Sequence, residues 1–212
     1  MSTKGIFPNV VTYSTLIERI CRVGRPKIAL ELLHEMQGCG RPPNLQTCTI
    51  LLDGLCKNLH FTEVMTLFKE MKDKRLNLDI VIYSILIDGM CNAGELTIAR
   101  KLFNALPTKG LQPNVRTCTI MIIGLCKEGL LNEARELFEK MEESGCSPNN
   151  VTYNAIIQGF LQHNETSWVV KYLQMMIEKG FSANATTATI LIDLISTNRA
   201  DKILQDFFQI SV

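Results

Sequence analysis

The chain has 212 residues, with 22 Lys and Arg against 21 Asp and Glu, a net charge of +1 and 46% hydrophobic residues. This ordinary globular composition excludes a bulk basic footprint for nucleic acid, so any such surface has to come from where the charges are placed. No stretch approaches 18 consecutive apolar residues, which excludes a membrane-spanning helix.

Residues 1–9 read as the tail of a repeat whose helices are missing, and Met1 to Asn9 is neither a signal sequence nor an Arg-rich transit peptide. Val11-Thr12-Tyr13 then opens a helical pattern that returns as Val151-Thr152-Tyr153. Cys48, Tyr83, Cys118 and Ala188 hold the Tyr place at multiples of 35 residues in register. A fixed period of this size marks a stacked repeat array. With position 1 set at Val10, complete repeats run 10–44, 45–79, 80–114, 115–149 and 150–184, and 185–212 is a partial sixth.

The first repeat has Gly24 and Gly40 at its two turns. The second carries Gly54-Leu55-Cys56-Lys57, with Leu59 and Arg75 where other repeats mostly place turn glycines and Leu78 where others place Pro. The third returns to glycine at Gly94 and Gly110. In the fourth, Cys118, Met121, Ile122 and Leu125 recur at i, i+3, i+4 and i+7, an amphipathic helix ending near Lys127 at Glu128-Gly129. Leu131, Ala134, Leu137, Phe138 and Met141 form a second stripe, and Ser144-Gly145-Cys146-Ser147-Pro148-Asn149 turns the chain into the next unit. The fifth repeat has Gly180 at its second turn but Asn164 and Ala183 at the usual Gly and Pro places. The sixth contains Phe207 and Phe208, expected to help cap the C-terminal end. Each unit is therefore a short antiparallel helix pair. One pair cannot bury both apolar stripes, whereas stacked pairs make a continuous core.

Eight cysteines raise the question of a disulfide framework or a metal site. Cys21, Cys56, Cys91 and Cys126 form one repeat column, Cys48 and Cys118 share the Tyr column, and no Cys-x-x-Cys pair occurs. They are expected to be buried, reduced core thiols of an intracellular protein, and no metal or other cofactor is implied.

Val11-Thr12-Tyr13-Ser14-Thr15-Leu16-Ile17, Asn114-Val115, Gly124-Leu125-Cys126-Lys127 and the segment Glu133 to Met141 together resemble pentatricopeptide repeats of the pure 35-residue class. The resemblance covers essentially the whole chain. The Gly-Leu-Cys-Lys segments also resemble the plant fertility-restorer-like subgroup. The implied fold is all-α, a right-handed superhelical solenoid of stacked antiparallel helix pairs. The implied activity is binding of single-stranded RNA, one base per repeat, with the N-terminus toward the 5′ end.

In that family positions 5 and 35 read the base. Position 5 is Ser14, Thr49, Ser84, Thr119 and Asn154, with Thr189 in the partial repeat. Position 35 is Asn44, Asp79, Asn114, Asn149 and Asn184, with Asn9 left from the missing repeat. An ionised Asp only accepts hydrogen bonds, which suits the ring N–H of guanine or uracil. An Asn can donate its amide N–H to the bare ring nitrogen of adenine or cytosine. A short hydroxyl at position 5 leaves room for a purine, and the longer Asn suits a pyrimidine. The expected site is 5′-AGAA(C/U)-3′, each good pair contributing about 1–3 kcal/mol of discrimination by analogy with base-edge contacts in DNA. The alternative origin of Asn at position 35 is turn and cap chemistry, since Pro-Asn before a helix is a common arrangement.

Position 2 in the family clamps the base between apolar side chains. Val11, Val81 and Val151 fit, and Arg116 offers a guanidinium plane for stacking, while Gln46 and Thr186 do not fit. Position 13 brings a cation to phosphate, and Arg22, Lys57 and Lys127 match. The same cations would also relieve the helix dipole at a C-terminus.

No catalytic role is expected. His163-Asn164-Glu165 matches the first half of a zinc deaminase signature, but no Cys-x-x-Cys follows it. His34 and His60 are isolated. The competing reading is a helical protein-interaction scaffold like tetratricopeptide arrays, or a truncated inactive copy. The polar columns at positions 5 and 35 favour RNA. Partners expected besides RNA are protein processing factors and a second copy through an uncapped N-terminal repeat, with no membrane. Family members act in organelles, so the full-length parent is expected in mitochondria, with plastids second, in RNA processing, stability or translation.

Overall fold

The computed structural model describes residues 8–196. Eleven α-helices occupy them, with no strand, and they fall into two compact units divided between Leu111 and Gln112. The first unit holds α1 (Val10–Arg22), α2 (Pro26–Gly38), α3 (Leu45–Lys57), α4 (Phe61–Asp73), α5 (Ile80–Asn92) and α6 (Leu96–Asn104). The second holds α7 (Val115–Lys127), α8 (Leu131–Glu143), α9 (Asn150–Gln162), α10 (Thr166–Glu178) and α11 (Ala185–Ser196). Phe207, Phe208 and the rest of the sixth unit lie outside the described residues. No helix among those described is long and apolar enough to cross a membrane.

Each unit is a stack of helix pairs. In the first, α1, α3 and α5 pack on one another in sequence, with α2, α4 and α6 each against its own partner. In the second, α7, α9 and α11 stack in the same manner, backed by α8 and α10. The all-α helix-pair architecture expected from the period is therefore present in both.

A column of glycines lets the first helices come close. A Cβ added to Gly89 would sit 2.6 Å from Cys56 Sγ, and Gly54 and Gly159 are pressed in the same way onto Cys21 and Cys126. The thiol of one helix thus fills the notch left by the missing side chain of the next. Burial pushes these thiols well above the usual range, to about 11 for Cys21 and about 12 for Cys56 and Cys126. They are inert at neutral pH. The expectation of buried thiols does not hold for the whole set. Cys39 is exposed and Cys146 half-buried, because both lie in the turns after second helices.

Other departures also have local causes. The third repeat does not match the others, since α6 ends at Asn104 and a 3-10 turn, Pro107–Lys109, replaces its last α-turn. Pro107 has no N–H to continue the ladder. Leu59, Arg75 and Asn164 adopt φ of 62, 54 and 59°, the conformation that glycine takes at the equivalent turns of other repeats. His163 stands in such a turn, with its ring Nε2 2.7 Å from the carbonyl of Cys126 at the end of α7. It is a structural link between successive first helices, as is Asn58, which donates to the Cys21 carbonyl at 3.2 Å.

Candidate functional site

Positions 2, 5, 9 and 13 are three or four residues apart and share one face of each first helix. Position 35 sits at the start of the following helix. Asn9, Asn44, Asp79, Asn114 and Asn149 are N-caps with extended backbone, and the side chain of each, like that of Asn184, satisfies orphan N–H groups. Asn44 Oδ1 accepts from Thr47 N at 2.8 Å and from Thr47 Oγ1 at 2.9 Å. Asn114 receives both bonds from Thr117 at 2.9 Å, and Asn149 receives both from Thr152 at 3.1 Å. Asn9 is met by the Thr12 N–H at 2.9 Å and hydroxyl at 3.0 Å. Asp79 differs: one carboxylate oxygen accepts from the backbone N–H groups of Val81 at 3.0 Å and Ile82 at 3.1 Å. Asn184 accepts from Thr187 N at 2.9 Å and from Gln158 Nε2 at 3.2 Å.

Capping therefore uses only one end of each of these side chains. A backbone N–H can be met only by an oxygen, so the Asn caps turn Oδ1 toward the helix and present Nδ2 from an exposed side chain. Asp79 turns one oxygen inward and presents the other.

The position-5 side chains lie deeper. Ser14 Oγ donates to Val10 O at 2.9 Å and lies 2.8 Å from Thr47 Oγ1. Thr119 repeats this with Val115 O at 2.7 Å and Thr152 Oγ1 at 2.8 Å. Thr49 and Ser84 donate to the carbonyls of Leu45 and Ile80. Asn154 is only 2% exposed. Its Oδ1 accepts from Asn184 N at 2.8 Å and Thr187 Oγ1 at 2.7 Å, while its Nδ2 donates to Asn150 O at 2.8 Å and Ser182 O at 3.3 Å. Thus Ser14 reaches Asn44 through Thr47, Thr119 reaches Asn149 through Thr152, and Asn154 binds the backbone of Asn184. Ser84 and Asn114 belong to different units and are described singly.

Val11 and Val151 are 70% and 64% exposed, and Val81 and Arg116 are exposed as well. Apolar side chains left in water on the same face as the polar readers are what a base clamp needs. The position-13 cations are more constrained. Arg22 pairs with Glu18 and Lys57 with Asp53, each at 2.6 Å one turn apart. Before Lys127 the same place holds Ile123. In the second unit a cleft of about 270 Å³ between α7 and α9 collects Ile123, Lys127, Val151, Asn154, Gln158 and Asn184. The position-2 valine, the position-5 and position-35 asparagines of the fifth repeat and a lysine of the fourth meet there. Position 9 (Glu18, Asp53, Gln158) and the threonines at position 3 are participants that the sequence reading did not single out. The i,i+4 spacing of Glu18 with Arg22 and Asp53 with Lys57, and the recurring Asn-x-x-Thr, are the signals that carry them.

The sequence matches the PPR repeat family over residues 8–57, 51–92, 78–127, 122–162 and 148–196, and the chain belongs to that family. Among solved structures it is similar to the pentatricopeptide repeat protein PPR10 in complex with an 18-nt psaJ RNA element, with a TM-score of 0.82 and 23% identity over 95% of this chain. The pentatricopeptide repeat protein PPR10 from maize gives a TM-score of 0.75 at 21% identity over 96% of this chain and 29% of its own. The PPR domain of Arabidopsis thaliana protein-only RNase P 1, in complex with tRNA, gives 0.66 at 18% identity, covering 86% of this chain and 96% of that domain. These likenesses show a shared fold. The chain spans about 30% of the length of the RNA-bound PPR10 chain. No curated protein matches the sequence.

Proposed function

We propose that the chain binds single-stranded RNA without catalysis, one base per repeat, at 5′-AGAA(C/U)-3′. The observation that carries this reading is the exposed row of N-caps. Asn44, Asn114, Asn149 and Asn184 each have the amide oxygen committed to a helix N-terminus, which leaves Nδ2 to donate. A donor suits the ring nitrogen of adenine or cytosine. Asp79 leaves a carboxylate oxygen to accept from the ring N–H of guanine. At the fifth base a donating Asn184 favours cytosine over uracil. Val11, Val81 and Val151, with Arg116 as a stacking plane, would hold the bases, and Lys127, Arg22 and Lys57 would approach phosphates. PPR10 and the RNase P 1 domain, both solved with RNA, support RNA as the ligand class.

Such a protein acts by occupancy: it blocks nucleases, remodels RNA structure or recruits processing factors. An organellar transcript, in mitochondria by preference, is the proposed setting. Fluorescence anisotropy with a labelled RNA carrying 5′-AGAAC-3′ tests the reading against the same RNA with both central adenines changed to uracil. The expected loss is roughly tenfold or more per changed base. Equal binding to the two RNAs by the folded chain would contradict it.

A further inference from the structure

The threonine three residues after each recognition asparagine has no assigned role, yet its pairing is selective. Asn9, Asn44, Asn114, Asn149 and Asn184 are followed by Thr12, Thr47, Thr117, Thr152 and Thr187, whereas Asp79 is followed by Ile82. Ordinary capping does not require this, since the backbone N–H of any residue serves the cap. The hydroxyl adds a second donor to the same amide oxygen. An asparagine flipped about its last torsion would set its NH₂ against the Thr N–H, and the hydroxyl would lose its acceptor. A carboxylate has two equivalent oxygens and nothing to flip, and Asp79 is served by two backbone N–H groups alone.

The hydroxyl also ties the cap to position 5 of the preceding repeat. Ser14 and Thr47 carry one proton each for three close contacts, to Val10 O at 2.9 Å, to Asn44 Oδ1 at 2.9 Å and to each other at 2.8 Å. When Ser14 turns its proton from Val10 O to Thr47, the Thr47 proton is left for Asn44 Oδ1. Thr119, Thr152 and Asn149 form the same chain. Where position 5 is Asn154, the Thr187 proton goes instead to Asn154 Oδ1 at 2.7 Å, and Gln158 takes its place on Asn184 at 3.2 Å.

We infer that the position-3 threonines Thr47, Thr117 and Thr152 are specificity-determining positioning residues. Their hydroxyls lock the recognition asparagine with its donor outward, and Thr47 and Thr152 also pass the identity of position 5 to position 35. Thr47 is fully buried and touches no base; it acts through Asn44. This inference rests on the RNA-reading proposal above.

The test is Thr47→Val, which keeps the shape and the backbone cap and removes only the hydroxyl, with Thr47→Ser as the conservative variant that restores it. Binding is measured to RNAs carrying A or G at the first base, and thermal melting checks that each variant is folded. The wild type is expected to prefer A roughly tenfold. In Thr47→Val the backbone N–H is the one remaining donor to Asn44 Oδ1, so a larger share of Asn44 turns its oxygen outward; the ratio should fall severalfold by a gain in affinity for G, and Thr47→Ser should recover it. A folded Thr47→Val with the wild-type ratio, whether or not both affinities fall together, would overturn the inference while leaving RNA reading intact. A wild type that binds RNA without preferring A at that base would overturn both.

Discussion

The first-helix faces of the two units are built on one plan but differ in charge and in how their readers are held. On α1 and α3 the cations Arg22 and Lys57 are each neutralised one turn away, by Glu18 and Asp53. On α7 that place is Ile123, and on α9 it is Gln158, which reaches across to Asn184 and Thr187. In the first unit, any phosphate contact by Arg22 or Lys57 would first have to break an ion pair. The second offers an apolar and amide-lined cleft. Both units keep the same packing device, a cysteine of one helix seated on a glycine of the next. The lesson is that the stack and the polar row are separable: Gly–Cys contacts recur along the first helices of both units, while the side chains at positions 9 and 13 differ from repeat to repeat.

The largest expected effect breaks what the two units share. Gly89→Ala in the first and Gly159→Ala in the second should each cost about 1–3 kcal/mol, because the added carbon overlaps Cys56 or Cys126. Gly38→Ala, with nothing within 4 Å, should be neutral or slightly stabilising. Urea unfolding of the three variants measures the difference, and equal stabilities would remove the packing account.

Charge sharpens the contrast next. Glu18→Gln with Asp53→Asn should free Arg22 and Lys57, strengthen RNA binding severalfold at low salt and steepen its salt dependence. Each newly engaged cation should add about 0.7 to the slope of log affinity against log salt. Anisotropy titrations from low to physiological salt give both quantities. An unchanged slope would mean these cations never meet phosphate.

The smallest effect concerns a turn. Leu59, 62% exposed at φ 62°, stands where the second unit has Gly129 at φ 71°. Leu59→Gly should relieve about 1 kcal/mol of left-handed strain and raise the melting temperature. A fall would show that Leu59 makes contacts worth more than the strain.

Much of this was legible in the sequence because the period fixes the register. The first helices begin at Val10, Leu45, Ile80, Val115, Asn150 and Ala185, each 35 residues after the last. Asn44 and its equivalents could be read both as caps and as base readers; the geometry commits the amide oxygen to the cap and leaves the side chain exposed. The pattern was silent where function depends on side chains meeting between repeats. It did not single out Thr47, whose hydroxyl lies between Ser14 and Asn44. Asn154 looked like a reader facing the base, but its amide is buried and fully engaged with Asn150, Ser182, Asn184 and Thr187. Glu18 and Asp53 lie one helical turn from cations that were read alone. The short α6 follows from Pro107, whose effect on the last turn was not drawn from the repeat pattern.

The central claim is that an exposed cap atom reads one base per repeat, and Asp79 is where it can be reversed. The measurement is binding of wild type and Asp79→Asn to RNAs carrying 5′-AGAAC-3′ or 5′-AAAAC-3′. The wild type should prefer G at the second base, and the variant, which exchanges an acceptor for a donor while keeping the cap oxygen, should prefer A. Tight binding with no reversal would contradict the assigned register, and no binding to either RNA by a folded, helical chain would contradict RNA recognition itself.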